Sequence, residues 1–160
     1  HKILTDSKKL TEKQRKELKT EIIERAVAWN IASVSNEEID RINILRASIK
    51  AMHLAIEGLT KKPDFLIIDG NRFYPFRDIE YETIIGGDGK YFSIAAASVL
   101  AKCARDEFMI EISEGYPEYG WSGNKGYGTL AHRKAILKYG LTPFHRRSFS
   151  LHDLQLSIDF

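Results

Sequence analysis

An α/β sandwich is the fold class this sequence predicts, on three observations. Apolar residues recur at helical spacing in some segments, short β-branched or continuously apolar runs read as strands in others, and the two kinds alternate along the chain. In such folds ligands collect beyond the carboxyl ends of the strands, so the turns there are where functional residues are sought.

Thr11-Glu12-Lys13-Gln14 matches a capping box, in which hydroxyl and amide satisfy free backbone groups at a helix start, and predicts a helix to about Arg25. Val27 to Val34 is β-branched, aromatic and partly alternating, as a strand with one better-buried face would be. Ser35-Asn36-Glu37-Glu38 is a second capping box. After it Ile39, Ile42, Leu45, Ile49, Met52, Leu54, Ala55 and Leu59 recur close to helical spacing and predict the longest helix. Beyond Lys61-Lys62-Pro63, the run Phe65-Leu66-Ile67-Ile68 predicts a strand covered on both faces, ending at Asp69-Gly70. Tyr81 to Ile85 reads as a further strand, Gly86 to Lys90 as a turn, and the Ala-rich segment from Ser93 to about Ser113 as a helix. Gly120 to Gly128 is a glycine- and aromatic-rich loop, Thr129 to Tyr139 a basic helix closed by Gly140, and Pro143 begins an extended tail.

At 160 residues the chain fits one domain, read as residues 1–160 with a tail at about 150–160. Its 43% hydrophobic and 29% charged residues exclude a disordered chain. A net charge of +2 does not by itself argue for a polyanionic partner, so local clusters carry that case. Lys8, Lys9, Lys13, Arg15, Lys16 and Lys19 form one, and Arg133, Lys134, Lys138, Arg146 and Arg147 another. Cys103 is the only cysteine, which rules out an intramolecular disulfide and fits a reducing compartment. The apolar stretches are far short of the ~20 residues a membrane span needs, and the opening residues are unlike a signal peptide. A cytoplasmic monomer without a membrane partner is expected.

Asp69 directly follows an apolar strand, so its carboxylate is held at the sheet edge with little freedom; Asp88 ends the next strand between glycines that let backbone approach a ligand. Two such carboxylates can share a site. Hard oxygen ligands without a cysteine or histidine cluster select Mg²⁺ or Mn²⁺. On the residues alone a plain turn remains the alternative at each aspartate.

Seven segments carry a resemblance to a known family. They are Asp6-Ser7-Lys8-Lys9-Leu10, Ile67-Ile68-Asp69-Gly70-Asn71, Gly87-Asp88-Gly89-Lys90-Tyr91, Ser93 to Lys102, Arg105-Asp106, Asn124-Lys125-Gly126-Tyr127-Gly128-Thr129 and His145-Arg146-Arg147-Ser148-Phe149. In content and order they resemble ribonuclease HII, the type 2 ribonuclease H. The resemblance implies a ribonuclease H-like fold, a mixed central sheet flanked by helices with a C-terminal helical part, whose first strands are missing here. It also implies a hydrolase acting on RNA-DNA hybrids or ribonucleotide-containing duplex DNA. The cut falls 5′ of a ribonucleotide and leaves 3′-hydroxyl and 5′-phosphate ends.

Of the family's four metal-holding carboxylates, the third is carried onto Asp69 and the fourth onto Asp88. Asp106 is set aside as a structural residue beside Arg105. Tyr127 resembles the tyrosine that stacks at the ribose–deoxyribose junction; from the residues alone, packing with Tyr119 and Trp121 is the plainer reading. Ser7 and Lys8 match a position that contacts backbone phosphate. His132 and His145 are given no catalytic role. The family's opening Asp-Glu-Ala-Gly-Arg-Gly string, source of the other two carboxylates, does not occur in this sequence. The chain as given is therefore expected to be inactive, and a non-catalytic nucleic-acid-binding module is the alternative reading.

Overall fold

The structure, a computed structural model, describes residues 10–148. Its helices are α1 (Glu12–Arg25), α2 (Asn36–Ile42), α3 (Ile44–Glu57), α4 (Phe92–Gly115), α5 (Trp121–Asn124) and α6 (Leu130–Tyr139); its strands are β1 (Phe65–Asp69) and β2 (Glu80–Ile84). Single 3₁₀ turns occupy Gly87–Gly89 and Pro117–Tyr119. The chain divides into two compact units: one runs to Ser33 and resumes over Ile49–Ala104, and the other holds Val34–Ser48 and everything from Arg105 onward.

In the first unit the capping box at α1 forms in full, with Thr11 Oγ1 accepting the Gln14 N–H and Gln14 Oε1 accepting the Thr11 N–H. The helix buries Leu18 together with Leu10, Val99 and Cys103, and Ile22 packs at the margin. Burying side chains of this size contributes roughly 1.5–3 kcal/mol each, before the entropy of ordering them is deducted. A second cluster joins Ile49 of α3 to Leu66 and Ile68 of β1 and to Phe73, with Met52, Ile56, Phe76 and Ile79 around it.

β1 and β2 pair in parallel from Phe65↔Glu80 to Asp69↔Ile84, so both strands end on the same side. The expected burial of both β1 faces is corrected among the described residues. Leu66 and Ile68 are buried, whereas Phe65 is 48% exposed, the alternation of a strand with one covered face.

The expected strand at Val27–Val34 is not formed either. These residues pair with no strand among those described, and Val27 is exposed. A strand exists only through its ladder partner. The segment is tied instead by Asn30, whose Nδ2 donates to the carbonyls of Leu54 and Ala55.

The long helix expected after Ser35 is broken. Ser35 caps α2 by accepting the Glu38 N–H, but Asn43 takes φ 68°, ψ 164°, and its Oδ1 accepts the Arg46 N–H to start α3 afresh. The longest helix is therefore α4, at 24 residues. In the second unit the latter half of α4, the Pro117–Tyr119 turn, α5 and α6 enclose Met109, Ile112, Tyr119, Trp121, Ala135 and Ile136. Thr129 caps α6 through the His132 N–H, and Gly140 closes it at φ 83°. The segment after α6 is held by α2: Asn36 Nδ2 donates to the carbonyls of Pro143 and His145, and Asp40 accepts from the Arg147 N–H and the Ser148 hydroxyl. The tail beyond Phe149 lies outside the described residues.

Candidate active site

The two aspartates that the sequence singles out lie in the first unit, Asp69 at the carboxyl end of β1 and Asp88 in the turn that follows β2. Asp69 is the last residue of β1 and stands opposite Ile84, the last residue of β2. The Gly70 N–H donates to the Ile84 carbonyl at 2.9 Å, which extends the pairing one step past the strand. The chain then turns through Gly86, in the left-handed conformation at φ 65°, into the Gly87–Gly89 turn.

There the Gly87 N–H donates to Asp69 Oδ1 at 2.8 Å. The next residue is Asp88, half-buried in the turn. A backbone hydrogen bond thus ties the carboxylate of Asp69 to the residue preceding Asp88.

Gly87 is what admits this contact. A Cβ at that position would lie 2.6 Å from Ile94 Cδ1 and 3.4 Å from Asp69 Oδ1, so any larger residue would force the Ile94 side chain to shift and crowd the carboxylate. The turn is closed from below as the Lys90 and Tyr91 N–H groups donate to the Gly87 carbonyl, and Lys90 Nζ donates to the Ile85 carbonyl. The sequence signals the glycine run; that its backbone would orient Asp69 emerges only in three dimensions.

As a cation site the donors fit a hard divalent ion. Asp69 uses Oδ1 on Gly87 and leaves Oδ2 without a hydrogen bond among the described residues, and Asp88 adds a second carboxylate from a glycine-flanked turn. Oxygen donors alone suit Mg²⁺ or Mn²⁺. Among the described residues no group of three or more His, Cys, Asp or Glu side chains gathers, so these two aspartates supply only part of a coordination shell. Cys103 is buried with its thiol on the Arg15 carbonyl, and His53 meets the Tyr74 carbonyl.

In the second unit Tyr127 stands 66% exposed, so the aromatic-packing reading fails for it; Tyr119 and Trp121 stack on each other inside the core. Asn124 builds the loop that carries it. Its Oδ1 accepts the Gly126 N–H, its carbonyl accepts the Tyr127 N–H, and its Nδ2 donates to the Tyr119 carbonyl. Lys125 and Gly126 take positive φ, 50° and 82°, to complete the turn.

Asp106 is buried in α4 at 8% exposure, while Arg105 beside it is exposed, because consecutive helical residues do not face each other. His132 and His145 lie parallel in the core, ring centroids 5.3 Å apart. Ser7 and Lys8 lie outside the described residues.

Comparison with known proteins places these features in a wider set. Residues 3–152 match the family described as Ribonuclease HII. A protein named Ribonuclease HII from Parabacteroides distasonis is 54% identical over 157 residues, spanning 98% of this chain and 79% of that protein. Its counterpart from Christiangramia forsetii is 56% identical over 158 residues, spanning 99% and 80%. The crystal structure of ribonuclease H2 from Pyrococcus horikoshii OT3 superposes with a TM-score of 0.78 at 23% identity over 95% of this chain and 79% of that one, a likeness of fold. Among the described residues no helix is long and apolar enough to cross a membrane.

Proposed function

The chain belongs to the ribonuclease HII family, and from that premise we propose that its strand-end aspartates serve hydrolysis of the RNA strand in RNA-DNA hybrids, or of single ribonucleotides in duplex DNA. The cut falls on the 5′ side of the ribonucleotide and leaves 3′-hydroxyl and 5′-phosphate ends. The observation that carries the reading is the hydrogen bond from Gly87 N–H to Asp69 Oδ1, which joins the end of β1 to the turn bearing Asp88.

Asp69 and Asp88 hold the metal, Mg²⁺ or Mn²⁺. When bound, a divalent ion polarises a phosphodiester oxygen and lowers the pKa of a water near it. The protein's part is placement. Gly87 fixes the rotation of the Asp69 carboxylate, the parallel strands fix its position, and the glycines of the turn keep bulk away from the approaching phosphate. Tyr127 stacks on the sugar-base unit at the ribose–deoxyribose junction, and Ser7 and Lys8 donate to a backbone phosphate.

Two carboxylates are few for an ion that takes about six oxygen ligands, so residues 1–160 by themselves are expected to bind it weakly and cleave poorly. The test is a cleavage assay on the full-length gene product with a duplex carrying one ribonucleotide and Mg²⁺ or Mn²⁺. Asp69→Asn and Asp88→Asn are each expected to lower the rate by at least about 100-fold while duplex binding persists. Full activity in either variant removes that aspartate from the site. Binding without cleavage in the parent protein would favour a non-catalytic module.

A further inference from the structure

Arg105 sits where α4 enters the second unit, and the tyrosine loop lies over it. A Cβ on Gly126 would stand 2.9 Å from Arg105 Nη2 and 3.0 Å from Met109 Cε, so the guanidinium and the methionine tip press against the backbone of that residue. Gly126 is followed by the exposed Tyr127. The guanidinium also lies over the Phe108 ring, 6.0 Å from its centroid.

Its chemistry is left incomplete by the protein. Among the described residues no acceptor takes a hydrogen bond from Arg105, although a guanidinium offers five donors in a fixed fork. Burial of part of the side chain draws its pKa below the usual value; the carboxylate of Asp106 opposes this and the charge of Arg146 adds to it. Other cations of the loop are already engaged: Lys125 Nζ on the Ser122 carbonyl and Arg133 Nε on the Gly128 carbonyl. A partly buried fork near a second arginine and an exposed ring is complementary to a phosphodiester with a base next to it.

We propose that Arg105 is a substrate-binding residue, its fork taking the two non-bridging oxygens of a backbone phosphate adjacent to the nucleotide that stacks on Tyr127. The assignment rests on the nucleic-acid reading of Tyr127 and adds to it a specific partner for the charge. Gly126 has a consequent role: its lack of a side chain lets the ring and the guanidinium present themselves side by side. The loop's hydrogen bonds through Asn124 hold the backbone that carries Tyr127 in place before any strand arrives.

The experiment is duplex binding by the full-length gene product, in EDTA to keep the strands intact, with a labelled duplex carrying one ribonucleotide, repeated from low to high salt. Arg105→Ala is expected to raise Kd about tenfold and to flatten the plot of log K against log salt by about 0.9, the release of one phosphate's counterions. Arg105→Lys keeps the charge, so it restores the slope while recovering only part of the affinity. Arg105→Gln tracks Arg105→Ala and guards against a folding defect, which thermal melting checks directly. An unchanged salt slope in Arg105→Ala and Arg105→Gln, with the parent protein binding well, overturns the phosphate assignment and leaves the arginine a prop for the loop. A parent protein that binds no duplex overturns both this assignment and the nuclease reading beneath it.

Discussion

A tyrosine ring that stands mostly in water needs a reason to be there, and the backbone around Tyr127 supplies the setting for one. Positive φ at Lys125 and Gly126 and the hydrogen bonds to Asn124 hold a loop whose single large apolar surface faces outward. Stacking of a base on such a ring is worth about 1–3 kcal/mol. Tyr127→Ala in the full-length gene product is therefore expected to slow cleavage at a single embedded ribonucleotide by about 5- to 150-fold, with Tyr127→Phe retaining most of the rate. Because the residue is exposed, stability should move by no more than about 0.5 kcal/mol in urea unfolding. A Tyr127→Ala rate equal to the parent's refutes the stacking role. At this scale the sequence makes the position of Asp69 legible, because an acid after an apolar run must emerge at a strand end; Asp88 instead lies in the turn beyond β2, which the glycine run signals. Arg105 is not legible in the same way. Linear order pairs it with Asp106, and only the helical turn of α4 sends the aspartate inward and the arginine toward Gly126.

Caps are local, and so they can be read from the order of residues: Thr11 and Gln14 form their box, and Ser35 and Thr129 start their helices. What periodicity misses is a single residue that leaves the helix and re-enters it. Asn43 sits at φ 68°, ψ 164°, a region that costs a side-chain-bearing residue about 1–3 kcal/mol, and it offsets this by capping α3. Asn43→Ala keeps the strain and loses the cap, so it should destabilise by about 1–2 kcal/mol. Asn43→Gly loses the cap but relieves the strain and should fall within about 0.5 kcal/mol of the parent or above it. Urea unfolding decides. Equal stability of the Ala variant and the parent would mean the side-chain cap contributes nothing. The Val27–Val34 segment fails for the opposite reason, since its β-branched pattern is local while the ladder that makes a strand is not. Phe65–Ile68 reads correctly as a strand and incorrectly as doubly covered, because a continuous apolar run states preference for burial and not which neighbours are available.

Acid should not weaken the two units alike, because the second unit keeps a neutral histidine in its core. His145 Nδ1 accepts the Thr142 N–H at 3.0 Å, which leaves the proton on Nε2, a buried nitrogen with no hydrogen-bond partner among the described residues. His132 stacks on it at an interplanar angle of 12°, and Tyr119 and Trp121 close the remaining sides. A second proton would displace the Thr142 N–H and set a charge against His132. Burial accordingly pushes the His145 pKa below its ordinary 6.5, and His132 pushes the same way. The unfolded chain then takes up its proton first. Stability is whole above about pH 6.5 and declines as pH falls from there through the lower folded value. Asp40 adds a second window: the Ser148 hydroxyl, followed by the N–H groups of Arg147 and Ser148, holds its carboxylate below the usual 3.8, so its contribution is present above that value and fades beneath it. Both groups hold the segment after α6, which α2 also ties through Asn36. Hydrogen exchange between pH 7.5 and 5.5, corrected for intrinsic rates, should therefore show protection falling at Trp121 and Ile136 while Leu66 and Val99 hold theirs. His145→Gln, which keeps an acceptor without a titrating ring, should flatten that decline. Equal losses in the two units, or an undiminished decline in the glutamine variant, would place the acid sensitivity elsewhere than the paired histidines.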